Sequence, residues 1–266
     1  MGRWEGQESQ QKRMPRSPQK RGAARKAQAD QPTNRLLSAL SAADYQRLAP
    51  HLALVRLDMK QRVYEPYQPI EYAYFPLTGL ISMVTVMQSG KAIESATVGN
   101  EGMVGLPLFL GVDRTTSQAY AQVPGESLRI KAEVFQKEVR RPGGLARMLQ
   151  LYTQALLVQI SQAMACNGLH AIPQRTARWL LMTHDRVAAE RFPLSQELLG
   201  LMLGVRRAGV NEVATKLRQA GLIQYRRGVV EIVDRAGLEA TACECYGVIQ
   251  AEFERLLGAP QKQGPP

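Results

Sequence analysis

Residues 206–216 carry six side chains that can form hydrogen bonds with nucleic acid, at a spacing that a helix would leave exposed. They are Arg206, Arg207, Asn211, Glu212, Thr215 and Lys216. Apolar residues fall between them, so a helix here would bury one face and present the polar set on the other. Guanidinium, amide and ammonium groups on such a face reach base edges and phosphates. The pattern therefore indicates a recognition surface rather than a catalytic centre.

Two short helices joined by a tight turn would hold this surface in place. Gly200 and Gly204 lie four residues apart, where the first helix must approach the second and where the turn must bend. Ser195 is predicted to cap the first helix. The apolar positions are those that a steeply crossed helix pair would bury, namely Leu199, Leu203, Val205, Val210, Val213 and Leu217.

A β-hairpin is predicted immediately after the helix pair. Two β-rich runs, Leu-Ile-Gln-Tyr and Val-Val-Glu-Ile-Val, surround a turn that contains Arg226, Arg227 and Gly228. This hairpin would form a basic wing beside the helices. The alternative is a helical hairpin whose arginines form only a solvated face. The agreement of glycine spacing, apolar spacing and basic turn favours the winged arrangement.

Positive charge is concentrated in two parts of this 266-residue chain, whose formal net charge is +11. Residues 1–32 hold eight Lys/Arg against three Asp/Glu, and residues 171–228 hold ten against four. The remainder of the chain is balanced. Nucleic acid favours such basic patches, because binding releases its counterions. An anionic membrane surface is the rival partner, but no basic amphipathic helix with aromatic anchors supports it.

The three cysteines, Cys166, Cys243 and Cys245, form an odd and sparse set. This argues against a disulfide framework and for a reducing compartment. The longest apolar run, residues 103–112, is about ten residues long, whereas a membrane-spanning helix needs roughly 20. The N-terminus has no apolar segment behind its charges, as a secretory signal would have. We therefore expect a cytoplasmic protein without membrane contact.

The predicted fold class is α+β, with an antiparallel β-roll or jelly roll, a long helix and a winged helix-turn-helix. The predicted parts are a disordered basic tail (residues 1–32), the roll (33–144), the long helix (145–169), the winged helix-turn-helix (170–240), and a C-terminal helix and tail (241–266). Within residues 51–131 the period is two and Pro and Gly are frequent, which predicts seven or eight short strands. Two short helices are predicted before these strands, with Asn34 and Ser41 as their caps.

The longest helical run covers residues 145–167, and Gly168 is predicted to end it. Its apolar positions alternate in steps of four and three and form a heptad seam of Leu145, Leu149, Tyr152, Leu156, Gln159 and Ala163. A seam of this kind is often ordinary core. We favour a partner interface, because the helix bridges two domains and a DNA reader of this size normally works as a dimer. Pro173 would begin the next helix, and Asp234 would cap a last helix that runs to Leu257.

A short helical opening, a β-roll, a long helix and a winged helix-turn-helix, in this order, resemble the Crp/Fnr family of bacterial transcription regulators. The resemblance covers roughly residues 33–245 and is most specific in LSQELLGLMLGVRRAGV, residues 194–210. It implies a cyclic-nucleotide-binding-type roll that acts as a sensor, and a dimer seam along the long helix. It also implies that the second helix of the pair enters the major groove.

The family's three base-reading positions fall on Arg207, Ala208 and Glu212. Arg207 matches the usual arginine, which suits bidentate contact with guanine. Ala208 and Glu212 depart from the family pattern, and Gly209 stands where a β-branched or hydroxyl residue is usual. The resemblance therefore implies a target half-site that differs from that of the best-known members. Gly209 either allows close backbone approach or is simply tolerated, at a cost of up to about 1 kcal/mol.

Each subunit of a homodimer is predicted to place residues 206–217 in the major groove of double-stranded DNA, with half-sites about 10 base pairs apart. Arg207, together with Asn211 and Glu212, would read bases. The phosphate contacts would come from Ser195, Arg206, Thr215, Lys216, Arg226 and Arg227. RNA polymerase is a further candidate partner of such a regulator.

The predicted sensor departs further from the family. A cyclic-nucleotide pocket like that of the family needs a glutamate for the ribose and an arginine for the cyclic phosphate. Glu101 would be the ribose partner, but Arg114 lies one residue out of place, with Thr115 nearest the expected position. Because a phosphate clamp relies on a fixed fork, we expect no bound cyclic nucleotide. Glu101, Arg114 and Thr115 remain the candidate residues of an effector pocket.

No cofactor and no metal are predicted. The iron–sulfur form of the family needs cysteines near the N-terminus, and none precedes Cys166. Haem stays open as an alternative, but the histidines that could bind it are scattered in the sequence, at His51, His170 and His184. Cys243 and Cys245 could bind metal or sense oxidants. Without an evident group of partners, a structural role is favoured for both cysteines.

Signatures of enzymes are missing from the sequence. It contains no Gly-x-x-x-x-Gly-Lys loop, no Gly-x-Gly-x-x-Gly after a strand and no His-Glu-x-x-His. We therefore predict that the protein is not an enzyme. Two other functions stay open. One is a small-molecule-binding signalling module that acts through protein contacts and keeps a vestigial helix-turn-helix. The other is a non-specific nucleic-acid binder led by the basic tail.

Overall fold

The computed structural model describes residues 33–187 and 189–259. The predicted disordered tail, residues 1–32, lies outside the described residues, as do residues 260–266. The helices are α1 (Arg35–Ser38), α2 (Ala42–Leu48), α3 (Leu106–Phe109), α4 (Ala132–Val139), α5 (Gly144–Leu169), α6 (Ile172–Val187), α7 (Gln196–Leu203), α8 (Arg207–Gln219), α9 (Arg235–Thr241) and α10 (Cys245–Leu257), with a 3-10 turn at Ala49–His51.

The strands follow the predicted period-two segments closely. They are β1 (Ala53–Leu57), β2 (Arg62–Tyr64), β3 (Tyr72–Pro76), β4 (Leu80–Val86), β5 (Ala92–Val98), β6 (Gln118–Val123), β7 (Gly125–Lys131), β8 (Arg191–Pro193), β9 (Ile223–Arg226) and β10 (Val229–Ile232). We refer to β1–β7 as the roll, and to α6–α9 with β8–β10 as the winged domain.

The roll consists of two antiparallel sheets, with strand orders β1-β7-β3 and β2-β6-β4-β5. Alternation along the strands turns one set of side chains inward. Phe75, Ile81, Val84 and Ile130 are each at most 2% exposed and belong to one continuous core. The structure thus confirms the α+β class and the antiparallel roll.

The helices before the roll begin at the predicted caps. The Asn34 side chain accepts a hydrogen bond from the Leu37 amide (3.2 Å), and Ser41 accepts one from the Asp44 amide (3.1 Å). Each bond satisfies an amide that the first turn of a helix leaves without a partner. Local sequence therefore determines where α1 and α2 start.

α5 packs along the roll through the residues predicted to form the dimer seam. Five of them are at most 5% exposed within this single chain: Leu145, Leu149, Tyr152, Leu156 and Gln159. The Tyr152 hydroxyl donates to the Met103 carbonyl (2.9 Å), and the Gln159 amide donates to the Thr97 carbonyl (3.0 Å). The seam prediction is wrong, because a heptad stripe shows that one face is buried but not what buries it.

Two predicted helix ends also need correction. α5 continues through Gly168 to Leu169. Asp234 caps α9 as predicted, by accepting a hydrogen bond from the Gly237 amide (2.9 Å), but α9 ends at Thr241. A separate helix, α10, begins at Cys245 and packs against α5. This break brings the C-terminal cysteines to the end of the long helix.

The winged domain contains one strand that sequence patterns did not reveal. β8 has only three residues, and it pairs with β10 to complete the sheet β8-β10-β9. The predicted core of the domain is confirmed on α6, where Trp179, Leu180 and Leu181 are at most 4% exposed. Within residues 33–187 and 189–259, no helix is both long and apolar enough to cross a bilayer.

Candidate nucleic-acid interface

The helix pair α7–α8 is built as its glycines predict. Ser195 caps α7 by accepting a hydrogen bond from the Leu198 amide (3.1 Å). Gly204 ends α7 with a φ of +64°, a left-handed conformation that favours glycine. A Cβ atom on Gly200 would lie 3.1 Å from the carbonyl oxygen of Val205. Glycine at this position therefore keeps the turn tight against α7.

The predicted apolar positions of the pair form the core between the two helices. Val205 is half-buried, and the others are at most 3% exposed: Leu199, Leu203, Val210, Val213 and Leu217. Because these residues occupy the inner face of α8, Asn211, Glu212 and Lys216 are exposed and Thr215 is half-buried. The structure places the polar set on one face, while its contacts with nucleic acid stay a prediction.

Arg207 is the first residue of α8, and its side chain lies outside the described part of the structure. Its base-reading role therefore stays a prediction. Nearby, the Lys216 ammonium lies 2.7 Å from the Glu212 carboxylate, and this hydrogen bond lowers the pKa of Glu212. Glu212 is thus a carboxylate at neutral pH. Because the pair is exposed, its partners can be exchanged for those of a ligand at little cost.

The wing is fixed to the segment just before α7 by hydrogen bonds from its turn and from β9. Its turn contains Arg227 and Gly228, whose φ angles of +50° and +77° suit the turn that best matches strand twist in a hairpin. The Leu194 amide donates to the Gly228 carbonyl (2.8 Å), and the Tyr225 hydroxyl donates to the Leu194 carbonyl (2.9 Å). Arg226 and Arg227 remain exposed beside the helices, as do the other predicted phosphate contacts Ser195 and Arg206.

One side of the polar face of α8 borders a cleft of about 1490 Å³ between the winged domain and the roll. Asn211, Thr215 and Arg218 line it from α8. The roll side of the cleft is basic and includes Lys60, Arg62 and Lys91. Sequence analysis missed Arg218, although it follows Asn211 by seven residues and Thr215 by three, which marks the same helical face. No local signal could have joined the basic residues of the roll to α8.

Glu94 of β5 is half-buried where α6 of the winged domain meets the roll. It accepts hydrogen bonds from the Ser82 hydroxyl (2.6 Å) and from the indole N–H of Trp179 (2.7 Å). Burial raises the pKa of Glu94 to about 7, although these hydrogen bonds oppose the shift. This contact joins the two domains through a group that titrates near neutral pH.

The three residues predicted for an effector pocket have different surroundings. Glu101 is buried, and its carboxylate lies 2.6 Å from the Arg186 guanidinium of α6. Arg114 is exposed and lies 3.8 Å from the carboxylate of its neighbour Asp113. The Thr115 hydroxyl shares a hydrogen bond with that of Ser117 (3.3 Å). Glu101 is thus engaged by the winged domain, and the effector pocket stays a prediction.

The prediction of a chain without cofactor or metal is contradicted by the positions of the cysteines. Cys166, His170, Cys243 and Cys245 come together, and their ligand atoms all lie within 4.8 Å of one another. The prediction considered only cysteines near the N-terminus and treated Cys243 and Cys245 as lacking partners. Packing of α10 on α5 supplies those partners. The one signal in the sequence was the spacing of four between Cys166 and His170 on a helix.

A transcription regulator of the Crp type is the class that this fold and this surface define. A family model described as a Crp-like helix-turn-helix domain matches residues 174–241. A second, described as a cyclic nucleotide-binding domain, matches residues 54–141. Together they cover more than half of the chain, which belongs to the Crp/Fnr family of transcriptional regulators.

Solved structures share this fold at low sequence identity. FixK2 from Bradyrhizobium japonicum is 20% identical, with 72% of this chain and 98% of that chain covered and a TM-score of 0.62. The c-di-GMP responsive global regulator CLP from Xanthomonas campestris is 18% identical, with 72% and 99% covered and a TM-score of 0.59. A CRP family transcriptional regulator from Thermus thermophilus is 19% identical, with 71% and 96% covered and a TM-score of 0.61. Among curated proteins, none matches this chain.

These structural similarities establish the fold. Two of these three neighbours are described as regulators of transcription or gene expression. The helix-turn-helix match implies DNA as the partner of this chain.

Proposed function

We propose that this chain is a homodimeric, sequence-specific transcription regulator that reads a palindromic DNA site with α8. The observation that carries the proposal is the intact helix pair, with an exposed polar face on α8 and a basic wing fixed beside it. A vestigial domain would not need to retain a capped α7, a glycine turn and a paired wing. The alternative of a signalling module without DNA binding is therefore not favoured.

The residues of the interface divide into two roles under this proposal. Arg207, Asn211 and Glu212 read base edges from the start of α8. The phosphates are held by Ser195, Arg206, Thr215, Lys216, Arg226 and Arg227, which set the register of the helix in the groove. DNA as the partner places the site of action in the bacterial cytoplasm. RNA polymerase would be the second partner if the protein activates transcription.

The winged domain must leave the roll before it binds a target. Asn211 and Thr215, two of the residues proposed to contact DNA from α8, line the cleft toward the roll. A duplex docked with α8 in its major groove, which is about 12 Å wide, would need this space. The contacts of Glu94 with Trp179 and of Glu101 with Arg186 favour the docked arrangement. An effector that binds the roll more tightly in the undocked arrangement would shift the population toward DNA binding.

An exposed stripe of α5 beside the buried seam is proposed to join two subunits. Leu157 is 54% exposed and Met164 is 74% exposed, and they lie seven positions apart, which is about two helical turns. A second copy of α5 against this stripe would remove both side chains from water and relate two α8 helices by a two-fold axis. Leu157→Glu with Met164→Glu should yield monomers in sedimentation equilibrium, whereas Arg147→Gln, at an exposed position of α5 outside this stripe, should leave the dimer intact.

Selection of bound duplexes from a random pool tests the function directly. The full-length protein should enrich a palindrome whose half-sites are about 10 base pairs apart. A variant without residues 1–30 should enrich the same sequence, which separates specific reading by α8 from non-specific binding by the tail. Enrichment of no sequence, with or without cell extract as a source of effector, would overturn the proposal.

A further inference from the structure

Four metal-ligating side chains converge where α5 ends and α10 begins. Cys166 and His170 lie four residues apart at the end of α5, and Cys243 and Cys245 lie on the turn into α10. The distance from Cys166 Sγ to Cys243 Sγ is 3.4 Å, and from Cys245 Sγ to His170 Nδ1 it is 3.6 Å. All four ligand atoms lie within 4.8 Å of one another. Three thiols and one imidazole therefore surround a common centre.

These separations match a tetrahedral site for a single ion. With Zn–S bonds of about 2.3 Å and a Zn–N bond of about 2.0 Å, the tetrahedron has edges of roughly 3.8 Å between sulfurs and roughly 3.6 Å between sulfur and nitrogen. Three thiolates and one imidazole are a ligand set of structural zinc sites, and they fill all four positions. An iron–sulfur cluster would spread the ligands around several inorganic atoms and hold them farther apart.

Glu244, the residue between the two C-terminal cysteines, orients the imidazole of His170. The His170 Nε2 atom lies 3.2 Å from the Glu244 carboxylate, while Nδ1 faces Cys245 Sγ. Metal-binding histidines usually donate their second ring N–H to a carboxylate, carbonyl or water, which fixes the tautomer and the ring orientation. The contact with Glu244 therefore leaves Nδ1 as the ligand atom. Apolar packing alone would not require this orientation of the ring.

The thiols are buried apart from the main hydrophobic core. Cys166, Cys243 and Cys245 are 0%, 4% and 2% exposed and form a separate cluster of their own. The positive charge of Arg178 acts on Cys166, and it would offset the negative charge of three thiolates around one divalent ion. A disulfide between Cys166 and Cys243 is the other use of this contact. All three cysteines are free, and a disulfide between Cys166 and Cys243 would not explain why Cys245 lies so close to His170.

We propose that Cys166, His170, Cys243 and Cys245 bind one Zn²⁺ ion through three thiolate sulfurs and the histidine Nδ1 atom. The thiols release their protons to solvent as the ion binds. The ion clamps the end of α5 to the start of α10. Since α6 begins at Ile172, the clamp lies at the junction between the long helix and the winged domain. The clamp would affect DNA binding, an effect that rests on the proposed function. It sets the direction in which the winged domain extends from the end of α5.

Metal content of the full-length protein is the first test. The protein is purified under reducing conditions, loaded with Zn²⁺ and separated from free ion. We expect one zinc per chain, and Co²⁺ in its place should show the visible absorption of tetrahedral thiolate coordination. A folded protein that retains no zinc after loading would overturn the proposal. Acid-labile sulfide in place of zinc would overturn it as well, because sulfide marks an iron–sulfur cluster.

Substitutions with a matched control locate the ion. Glu244→Gln should weaken zinc binding by about 10- to 100-fold, and His170→Gln should weaken it further and change the cobalt spectrum. The control is His184→Gln, because His184 also lies 3.2 Å from a glutamate, Glu190, but has Arg235 rather than thiols on its other nitrogen. It should keep full zinc affinity. Equal zinc affinity in the two histidine variants would place the ion elsewhere.

Two further measurements do not depend on the folding of any variant. A chelator should lower the melting temperature of the unchanged protein, and added Zn²⁺ should restore it, since an ion that binds only the folded chain stabilises it. Chelation should also change the affinity for the selected duplex. If zinc binding is demonstrated but chelation leaves the DNA affinity unchanged, only the proposed effect of the ion on the winged domain is wrong. Zinc-loaded protein that binds no duplex would count against the proposed function and leave the site intact.

Discussion

The two faces of the winged domain use charged side chains in opposite ways. On α8, the Glu212–Lys216 pair is 68% and 61% exposed, so each charge keeps its water and can exchange its partner. Toward the roll, the side chains of Glu101 and Arg186 are only 7% and 9% exposed. A buried pair has lost its water, so neither charge tolerates the loss of the other. The exposed Glu212–Lys216 side of α8, which we call the outer face, is therefore suited to bind a ligand. The buried contact between α6 and the roll, which we call the inner face, is suited to hold one arrangement of the domains.

Removal of one partner from the buried pair should produce the largest effect. Arg186→Met leaves the Glu101 carboxylate buried without its cation, which should lower the free energy of unfolding by about 3–5 kcal/mol in urea titrations. Lys216→Met, in the exposed pair, is the matched control and should leave stability unchanged within error. The double variant Arg186→Met with Glu101→Gln should recover much of the loss. If Arg186→Met and Lys216→Met were equally stable, the proposed difference between the inner and outer faces would be wrong.

The pH dependence of stability should identify Glu94 as a second inner-face group. Its pKa in the folded protein is about 7, against an ordinary value of 4.5. Between these values the folded state keeps a proton that the unfolded state has released, so stability falls as pH rises from about 4.5 to about 7. The loss would be at most about 3 kcal/mol. The charges of Arg178 and Arg186 act on Glu94, and the nearby Tyr120 ionises far above this range.

Urea titrations at several pH values check this expectation. Glu94→Gln should remove the fall in stability, because an amide cannot release the proton. Glu212→Gln, on the outer face, should leave the fall unchanged. A slope that persists in Glu94→Gln would show that another group causes it.

DNA affinity should separate base reading from phosphate contact on the outer face. Arg207→Ala should reduce discrimination between the selected site and a scrambled duplex by about 1–3 kcal/mol. Arg226→Ala should weaken both duplexes alike and reduce the slope of log affinity against log salt by about one. Fluorescence anisotropy over a range of salt concentrations measures both quantities. Equal losses on the two duplexes for Arg207→Ala would contradict its base-reading role.

The smallest effect should come from Gly209, on the first turn of α8. A Cβ atom there would lie 3.9 Å from Ile172 Cδ1 and 4.0 Å from Val205 Cβ, which is ordinary contact. Gly209→Ala should therefore raise the free energy of unfolding by up to about 1 kcal/mol, because alanine favours the helix. Thermal unfolding and DNA affinity are measured together. Retained affinity would show that glycine is merely tolerated, whereas a loss would show that DNA approaches the backbone closely.

The sequence predicted best those features that depend on neighbouring residues. Asn34, Ser41, Ser195 and Asp234 cap the helices they were expected to cap, because a capping bond spans only three residues. The α7–α8 turn at Gly204 was predicted for the same reason. The period-two segments also located all seven strands of the roll. The short strand β8 was not predicted, because its three residues are too few to show a period-two alternation.

The errors share a different cause. The stripe on α5 was assigned to a partner subunit, yet its residues contact the roll of the same chain. Cys243 and Cys245 were judged to lack partners, yet Cys166 and His170 reach them through the packing of α10 on α5. In each case the pattern showed that a side chain needs a partner, without showing which one.

By itself, then, the sequence determined the class of the protein and the outward face of α8, since periodicity and capping are set by residues one or two helical turns apart. Only the tertiary structure decided that part of this face borders a basic cleft. The same holds for the two carboxylates that join the roll to α6, and for the three cysteines and one histidine that share one centre. Those arrangements bring together segments distant in the chain, and their contacts are selected by the packing of whole domains rather than by any local preference.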